Sequence, residues 1–401
     1  MSILVLNAGS SSLKFGLFDA EAGRALASGG IDWAHGDRRQ ARLSLSIAPD
    51  REVRATVSAP DDQTAARLAI ASLEKAGAGQ KEPAAAIEVV GHRVVHGGVE
   101  FTGSVRIDAR VKAGIARLAE LAPLHNPPAL AAIEAAESAL PGAVQVAVFD
   151  TAFYSRLPPK AYVYPLPHQW CVDWGLRRFG FHGISHEYCT RRAAELLGRD
   201  LSQLRIVSCH LGGGCSAAAV QGGVAVATTM GFTTLEGLMM GTRSGSIDPG
   251  IVLHLQRSCG LTVDQIDDAL HHRSGLLGLS GVSQDLADIE AAIRQGNPQA
   301  KLAFEVFADR VRSAVGSLAV TMGGVDALIF TDRIGEGSCA LRAAVCDGLE
   351  CLGLRLDPAR NAACPADADL ASAGSPARIL LIHTREELMI AREARRVVSS
   401  G

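Results

Sequence analysis

Six side chains stand where apolar runs or glycine-flanked turns end. Arg93 and His96 leave the run that begins at Ile87, and Asp150 closes Ala143–Phe149. His125 lies in a proline-bounded turn, His182 in a glycine-flanked loop and Arg243 in the Gly-Thr-Arg-Ser-Gly stretch 241–245. Taken singly, each is the kind of residue that caps or packs an element end. Taken together with two turns that could receive a phosphate, they suit phosphoryl transfer. That chemistry needs guanidinium and metal charge around the moving group more than it needs covalent help.

The first turn lies in Ile3–Asp19, ILVLNAGSSSLKFGLFD. Two apolar runs, Ile3–Leu6 and Phe15–Phe18, flank Asn7, Ala8, Gly9 and three serines, which reads as a β-hairpin. Small residues let backbone approach a ligand, hydroxyls and N–H groups converge, and Lys14 adds positive charge. Alone, this would be an ordinary polar turn with a solvated lysine. A second copy changes the reading. Arg205–Thr229, RIVSCHLGGGCSAAAVQGGVAVATT, repeats run, glycine turn (Gly212–Gly214), run, Gly222-Gly223 turn and run. A module recurring about two hundred residues later implies two similar halves facing each other across a cleft, able to hold opposite ends of one polyphosphate.

Competing motifs fail on their context. Ser11–Lys14 fits S-x-x-K, but no K-T-G or S-D-N accompanies it. No Gly-Lys dipeptide exists, which excludes a Walker A loop. Gly212–Ala217 fits G-x-G-x-x-A, yet Gly222-Gly223 cuts off the helix that a dinucleotide fold requires. His182 and His186 are four apart without the glutamate of a metalloprotease.

The elements that must position these residues follow from patterning. Ala41–Val57 alternates as an antiparallel strand pair, and Asp62–Ala76 has helical spacing with an acidic start. Ile87–Val95 and Ala143–Phe149 read as buried strands, the second central in its sheet, and ligands in such folds gather at carboxyl ends of strands. Helices are expected at Val111–Ala122, Pro127–Ala139, His186–Leu197, Pro249–Arg257, Val263–His271, Gln284–Arg294, Pro298–Thr321, Cys339–Leu352 and Glu386–Val398. Gly231–Gly250 reads as a long loop, Val325–Thr331 as a buried strand and Ile379–Ile382 as the last strand. The Glu386 helix is expected to return to the first domain. Proline-rich Pro158–Pro167 marks a crossing, with a domain boundary just before it. The class is α/β.

With 401 residues, two or three domains are expected. Hydrophobic content of 48% with 20% charged residues suits a soluble enzyme, and a net charge of −3 without a basic stripe argues against nucleic acid. No apolar run reaches the roughly 18 residues of a membrane helix. MSILVL lacks a basic leader and runs straight into the hairpin, and nine cysteines without a CxxC pair suit a reducing compartment. Cytoplasm is the expectation, with Cys209 and Cys215 serving as small buried hydrophobes.

The stretches NAGSSSLKF, GHRVVHGG, APLHNPP, VFDTAF, RRFGFHGISH, HLGGG, LEGLMMGTRSG and EELMIAR, in order along nearly the whole chain, resemble the acetate kinase family of acetate and propionate kinases. The resemblance implies a duplicated actin-like ATPase fold, that of sugar kinases, heat-shock proteins and actin, with two domains around a central cleft. These would be residues 1–153 plus 387–401, and 154–386 carrying the nucleotide site. It implies ATP and acetate, or another short carboxylate such as propionate, interconverted with ADP and acetyl phosphate. Magnesium, or manganese in its place, and a homodimer come with it. Asn7 and Glu386 would help place the metal, and Ser10, Ser12 and Lys14 would lie by the phosphates. Arg93 would hold the acyl carboxylate, a task for a planar, always-charged fork. Arg243 and His182 would stabilise the transferring group with His125 nearby, and Asp150 would position nucleophile and metal. Val95, Leu124 and Phe181 would form the methyl pocket, with Thr234 beside them. The nucleotide would meet His210, Leu211 and Gly212–Gly214, then Asp285, Leu286 and Ala287, then Arg333, Ile334, Gly335, Glu336 and Gly337.

Most departures from the family pattern fall on the nucleotide half. Gly213 replaces an asparagine, Ala287 an arginine, and Arg333 a glycine that lets adenosine approach the backbone; Gly337 is altered as well. Thr234 stands for a proline and Ser246 for an aspartate. Three readings follow: an ATP-dependent acetate kinase in which Arg333 supplies the charge lost at Ala287, the same chemistry with pyrophosphate or polyphosphate as donor, and a non-catalytic protein that binds acyl phosphate or nucleotide.

Overall fold

The computed structural model describes residues 2–9, 11–33, 37–47, 51–75, 87–363 and 367–400. The chain divides into two compact units, Met1–Ser155 with Arg385–Gly401, and Arg156–Thr384.

The first unit is built on an eight-stranded sheet of β1 (Ser2–Ala8), β2 (Ser12–Phe18), β3 (Ala25–Asp32), β4 (Ala41–Ile47), β5 (Arg51–Val57), β6 (Ile87–Val94), β7 (Val105–Arg106) and β8 (Val144–Phe149). Their order is β5–β4–β3–β2–β1–β6–β8–β7. The expected hairpin forms: β1 pairs antiparallel with β2, with Asn7 opposite Lys14, and the Gly9 N–H donates to Ser12 O at 2.8 Å to close its turn. Strict alternation in β4 buries Ala41, Leu43, Leu45 and Ile47 on one face, where they meet Leu73, Ile70 and Ala66 of the helix Asp62–Lys75. β1, β6 and β8 run parallel. The helix Asn126–Ala139 packs on β6, and the C-terminal helix Glu386–Ser399 packs on β1, β6 and β8. Gly91 makes room for the latter, since a Cβ there would lie 2.9 Å from Ile390 Cγ2.

The second unit has β9 (Arg205–Leu211), β10 (Cys215–Gln221), β11 (Val224–Thr228), β12 (Ala327–Thr331), β13 (Ala368–Asp369) and β14 (Arg378–Leu381), in the order β11–β10–β9–β12–β14–β13. An antiparallel β11–β10–β9 meander followed by parallel β12 and β14 repeats the β3–β2–β1–β6–β8 plan of the first unit. The tight turn between β10 and β11 takes positive φ at both Gly222 (59°) and Gly223 (79°), as a two-residue hairpin requires. Cys209 and Cys215 are fully buried, and burial pushes the Cys215 thiol up to about 12. No helix among the described residues is long and apolar enough to cross a membrane.

Several elements differ from the patterning. β3, ALASGGID, escaped notice because small residues blur its alternation. β8 is flanked by the two-residue strand β7, so it lies next to an edge. Its unbroken apolar run reflects cover on both faces by the Phe101–Val111–Ile115 cluster and the C-terminal helix. The helix expected at Val111–Ala122 spans Ala109–Arg117 before a 3-10 turn, Leu118–Glu120. The Cys339 helix ends at Cys346, where the chain turns through Gly348 at φ 86° into a separate 3-10 turn, Leu349–Leu352. Short helices at Gly275–Ser280 and Asp332–Gly337 fall in stretches to which the patterning assigns no element.

His92 in β6 is buried, with Nε2 2.7 Å from Gln145 Oε1 and no partner for Nδ1. Burial pushes it down to about 4 from an ordinary 6.5. The folded protein therefore keeps this ring neutral where the unfolded chain protonates it, so stability is lost as pH falls from about 6.5 towards 4. Denaturant midpoints measured between pH 7 and pH 4.5 should show His92→Leu shallower than the parent, by up to about 1.4 kcal/mol per pH unit. An unchanged slope would exclude His92 as a source of acid lability.

Candidate active site

In the first unit, three neighbouring parallel strands end at one edge of the sheet. Leu6 is level with His92, and Arg93 with Val148, so β1, β6 and β8 deliver Asn7, Arg93 and Asp150 together. Arg93 donates from Nε (3.1 Å) and Nη2 (2.6 Å) to Asp150 Oδ2, and from Nη1 to Asn7 Oδ1 at 3.2 Å. The Asn7 amide nitrogen donates in turn to Glu386 (3.2 Å) and Glu387 (3.0 Å) in the first turn of the C-terminal helix. Asp150 is fully buried. Burial alone would lower the Arg93 pKa, but Asp150, then Glu386 and Glu387, outweigh it and hold the guanidinium charged. These bonds use three of its five N–H groups, which leaves donors for an anion.

Lys14 is exposed beside Asn7 through the hairpin register, and Ser12 opens β2 half-buried. Ser10 lies outside the described residues. Val95 is buried just beyond β6, whereas Leu124 is 53% exposed ahead of His125, the residue that opens the helix Asn126–Ala139. Asn126, which sequence reasoning passed over, ties that turn down: it accepts from His96 N at 3.1 Å and donates to His96 O at 3.0 Å.

The second unit gathers imidazoles at the carboxyl ends of β9 and β12. His182, preceded by buried Phe181, opens the helix Gly183–Leu197 with φ 55°, a left-handed conformation rare for a side-chain-bearing residue. Its Nδ1 lies 2.8 Å from Ser216 Oγ, that hydroxyl lies 2.9 Å from His186 Nε2, and His186 Nδ1 lies 2.9 Å from Ser208 Oγ. Burial, then neighbouring His210, lowers the His186 pKa well below its usual value. The His182 ring stacks on His210 at 4.2 Å. His210 bonds Ser185 through Nδ1 (2.9 Å) and approaches Asp332 through Nε2 (3.3 Å).

Arg243 reaches the same place. A Cβ on Gly214 would lie 3.2 Å from His182 Nε2 and 3.8 Å from Arg243 Nη1, so the glycine turn, the imidazole and the guanidinium crowd one point. Gly212 must stay bare, since a Cβ there would fall 1.7 Å from Asp332 Oδ2, whereas Gly213 has nothing within 4 Å. Among the described residues Arg243 donates only to neutral groups, Thr234 O at 3.3 Å and Met240 Sδ at 3.6 Å, and burial pulls its pKa down.

Asp285 caps the helix Leu286–Arg294 through the Ala287 N–H (3.1 Å) and accepts from Arg333 Nη1 at 2.7 Å. Ile334 and Gly335 are buried, while Glu336 accepts from Asp332 N at 2.9 Å and contacts His383 Nδ1 at 2.7 Å. Gly337 ends this short helix, and Arg342, 1% exposed, donates to Gly335 O and Glu336 O at 2.8 Å each. Glu387, Ser216, Asp332 and Arg342 were not singled out from the sequence, and His186 was weighed only as a metal ligand. For Ser208 and Ser216 a signal existed: a hydroxyl inside an otherwise apolar strand needs a buried partner.

The model of the acetokinase family matches residues 2–392. An acetate kinase of Gloeobacter violaceus is 51% identical over 98% of each chain, and one of Cyanothece sp. is 47% identical over 100% of this chain and 99% of its own. The crystal structure of Porphyromonas gingivalis acetate kinase superposes with a TM-score of 0.91 at 39% identity, covering 99% of both chains. A propionate kinase from Francisella tularensis gives 0.90 at 34% identity over 99% of both. Duplicated sheets with charged residues at their strand ends thus define a phosphotransferase of the actin-like ATPase fold. The chain belongs to the acetokinase family.

The serine bridge between His182 and His186 has a measurable weight. Ser216→Ala removes a hydroxyl shared by two imidazoles, one of them the buried His186, and should destabilise the protein by about 1–3 kcal/mol in denaturant unfolding. A loss below about 0.5 kcal/mol would show the bridge to be dispensable.

Proposed function

We propose that this protein is an acetate kinase, transferring the γ-phosphoryl group of ATP directly to the carboxylate of acetate and, in reverse, from acetyl phosphate to ADP. The observation that carries the reading is Arg243: a largely buried guanidinium, bonded among the described residues only to neutral groups, beside His182 and a bare glycine turn. A charge so placed awaits an anion.

Arg93, with N–H groups to spare, holds the acetate carboxylate. Because that carboxylate is already ionised, Asp150 serves to fix Arg93 and the nucleophile rather than to remove a proton. Arg243 and His182 receive the charge that builds on the phosphoryl oxygens, with Nδ1 of His182 held at Ser216 and Nε2 facing Gly214. We assign His125 a supporting role in phosphoryl transfer, and Val95, Leu124, Phe181 and Thr234 a role in accepting the short acyl chain.

Asn7, Asp150 and Glu386 fit a magnesium ion, since they offer oxygen donors without sulfur or imidazole. Among the described residues no group of three His, Cys, Asp or Glu side chains could hold a metal. The ion would therefore arrive with the nucleotide and keep several waters. It would supply neutralising charge to the phosphate oxygens. Ser10, Ser12 and Lys14 serve the phosphates, as do the backbone amides of the 210–214 turn. Asp285–Ala287 and Arg333–Gly337 serve the nucleoside. The working form is a cytoplasmic homodimer.

Acetyl phosphate trapped as hydroxamate should form with ATP, acetate and magnesium and fail to form with pyrophosphate; the opposite donor preference would overturn the assignment. Arg93→Ala should raise the KM for acetate at least tenfold, as expected for loss of a charge-assisted bond worth about 1.5–3 kcal/mol. Unchanged kinetics would remove Arg93 from the acyl site. Arg333 is drawn to Asp285 and so brings positive charge to the side that Ala287 leaves bare. Arg333→Gly should therefore raise the KM for ATP severalfold, and tighter ATP use instead would mean that Arg333 crowds the base.

A further inference from the structure

We propose that Tyr164, Arg178 and Glu236 are positioning residues for Arg243, an inference that rests on the kinase reading above. Thr234, whose carbonyl accepts from Arg243 Nη1 at 3.3 Å, lies in a stretch pinned at several points. Arg178 Nη1 donates to Thr229 O and Met230 O at 3.0 Å each, and its Nη2 donates to Glu236 Oε1 at 2.6 Å. The other Glu236 oxygen accepts from the Tyr164 hydroxyl, which itself accepts from Phe232 N at 2.9 Å. The Phe179 N–H reaches Gly231 O at 3.0 Å.

Gly231 lets this cluster close. A Cβ there would fall 1.7 Å from Glu236 Oε2 and 2.2 Å from the Tyr164 oxygen. Beyond Glu236 the loop doubles back: Gly237, at φ 111°, donates to Ser246 Oγ at 3.0 Å and accepts from Ser246 N at 2.9 Å. That closure sets Arg243 a few residues from a fixed anchor. Burial, then the Glu236 bond, raises the Tyr164 pKa, so the phenol stays a donor across the working range.

A guanidinium without a carboxylate partner can swing among neutral acceptors. What orients Arg243 is the carbonyl of Thr234, and what orients that carbonyl is the Arg178–Glu236–Tyr164 cluster. The three act through the loop, so they should govern turnover more than acetate capture.

Glu236→Gln and Tyr164→Phe, alone and each combined with Arg243→Ala, test this. Glu236→Gln should lower kcat by about 10- to 100-fold, the cost of a slight misplacement of a charge-stabilising group, with the acetate KM within about twofold. In the Arg243→Ala background the same change should cost less than about threefold, because the group it positions has gone. Full additivity would overturn the proposal. Amide exchange over residues 229–245 should quicken at least tenfold in Glu236→Gln while β9 and β12 keep their protection; unchanged exchange would also overturn it. Tyr164→Phe, which removes one hydroxyl, gives the same comparison should Glu236→Gln fold poorly. Wild-type protein that made no acetyl phosphate would sink the kinase reading, and the exchange comparison, which needs no turnover, would still decide whether the cluster holds the loop.

Discussion

Arg93 and Asp150 can share a buried ion pair because β6 and β8 run parallel and in register, so that their carboxyl ends meet at one sheet edge. Breaking such a pair by removing one partner costs about 3–5 kcal/mol, since the other charge stays buried. Much of the first unit secures that geometry. Asn7 reaches the pair from β1, and Glu386 and Glu387 reach Asn7 from the C-terminal helix. The small residue at position 91 lets that helix lie close against β6. Position and charge state are thereby set by the same few contacts.

The two units solve the problem of buried charge differently on one architecture. In the first, a guanidinium is matched by carboxylate. In the second, Arg243 donates to a carbonyl and a thioether, and the nearby imidazoles are fastened by serine hydroxyls. His182 adopts a strained backbone conformation, which persists only where its surroundings fix it, here Ser216 and the stacked His210 ring. An arrangement that leaves one cation wanting and its neighbours rigid is suited to charge that appears during a reaction.

Much of this was legible in the sequence, for reasons that differ between elements. The hairpins at Asn7 and Gly212 announced themselves through glycine and serine between apolar runs, and their recurrence revealed the duplication. Asp150 and Arg93 were singled out because each carries charge at the end of a long apolar run, and the fold pairs them. β3 was hidden by its small residues. The His182–Ser216–His186 bridge was hidden because Ser216 lies some thirty residues beyond the two histidines and meets them only when the helix Gly183–Leu197 packs against the β9–β10 hairpin. Arg333 shows the limit most clearly, since its bond to Asp285, forty-eight residues away, depends on a fold that local patterning does not reveal.

The helix Glu386–Ser399 covers β1, β6 and β8, but the ribosome makes it only after the whole of Arg156–Thr384. Until then the emerging first unit carries a bare apolar sheet face at Val5, Val89 and Val146, a surface liable to aggregate and attractive to chaperones. The second unit suffers no such delay, because all its strands lie within one continuous segment. During synthesis it can therefore finish folding first, although its partner begins the chain.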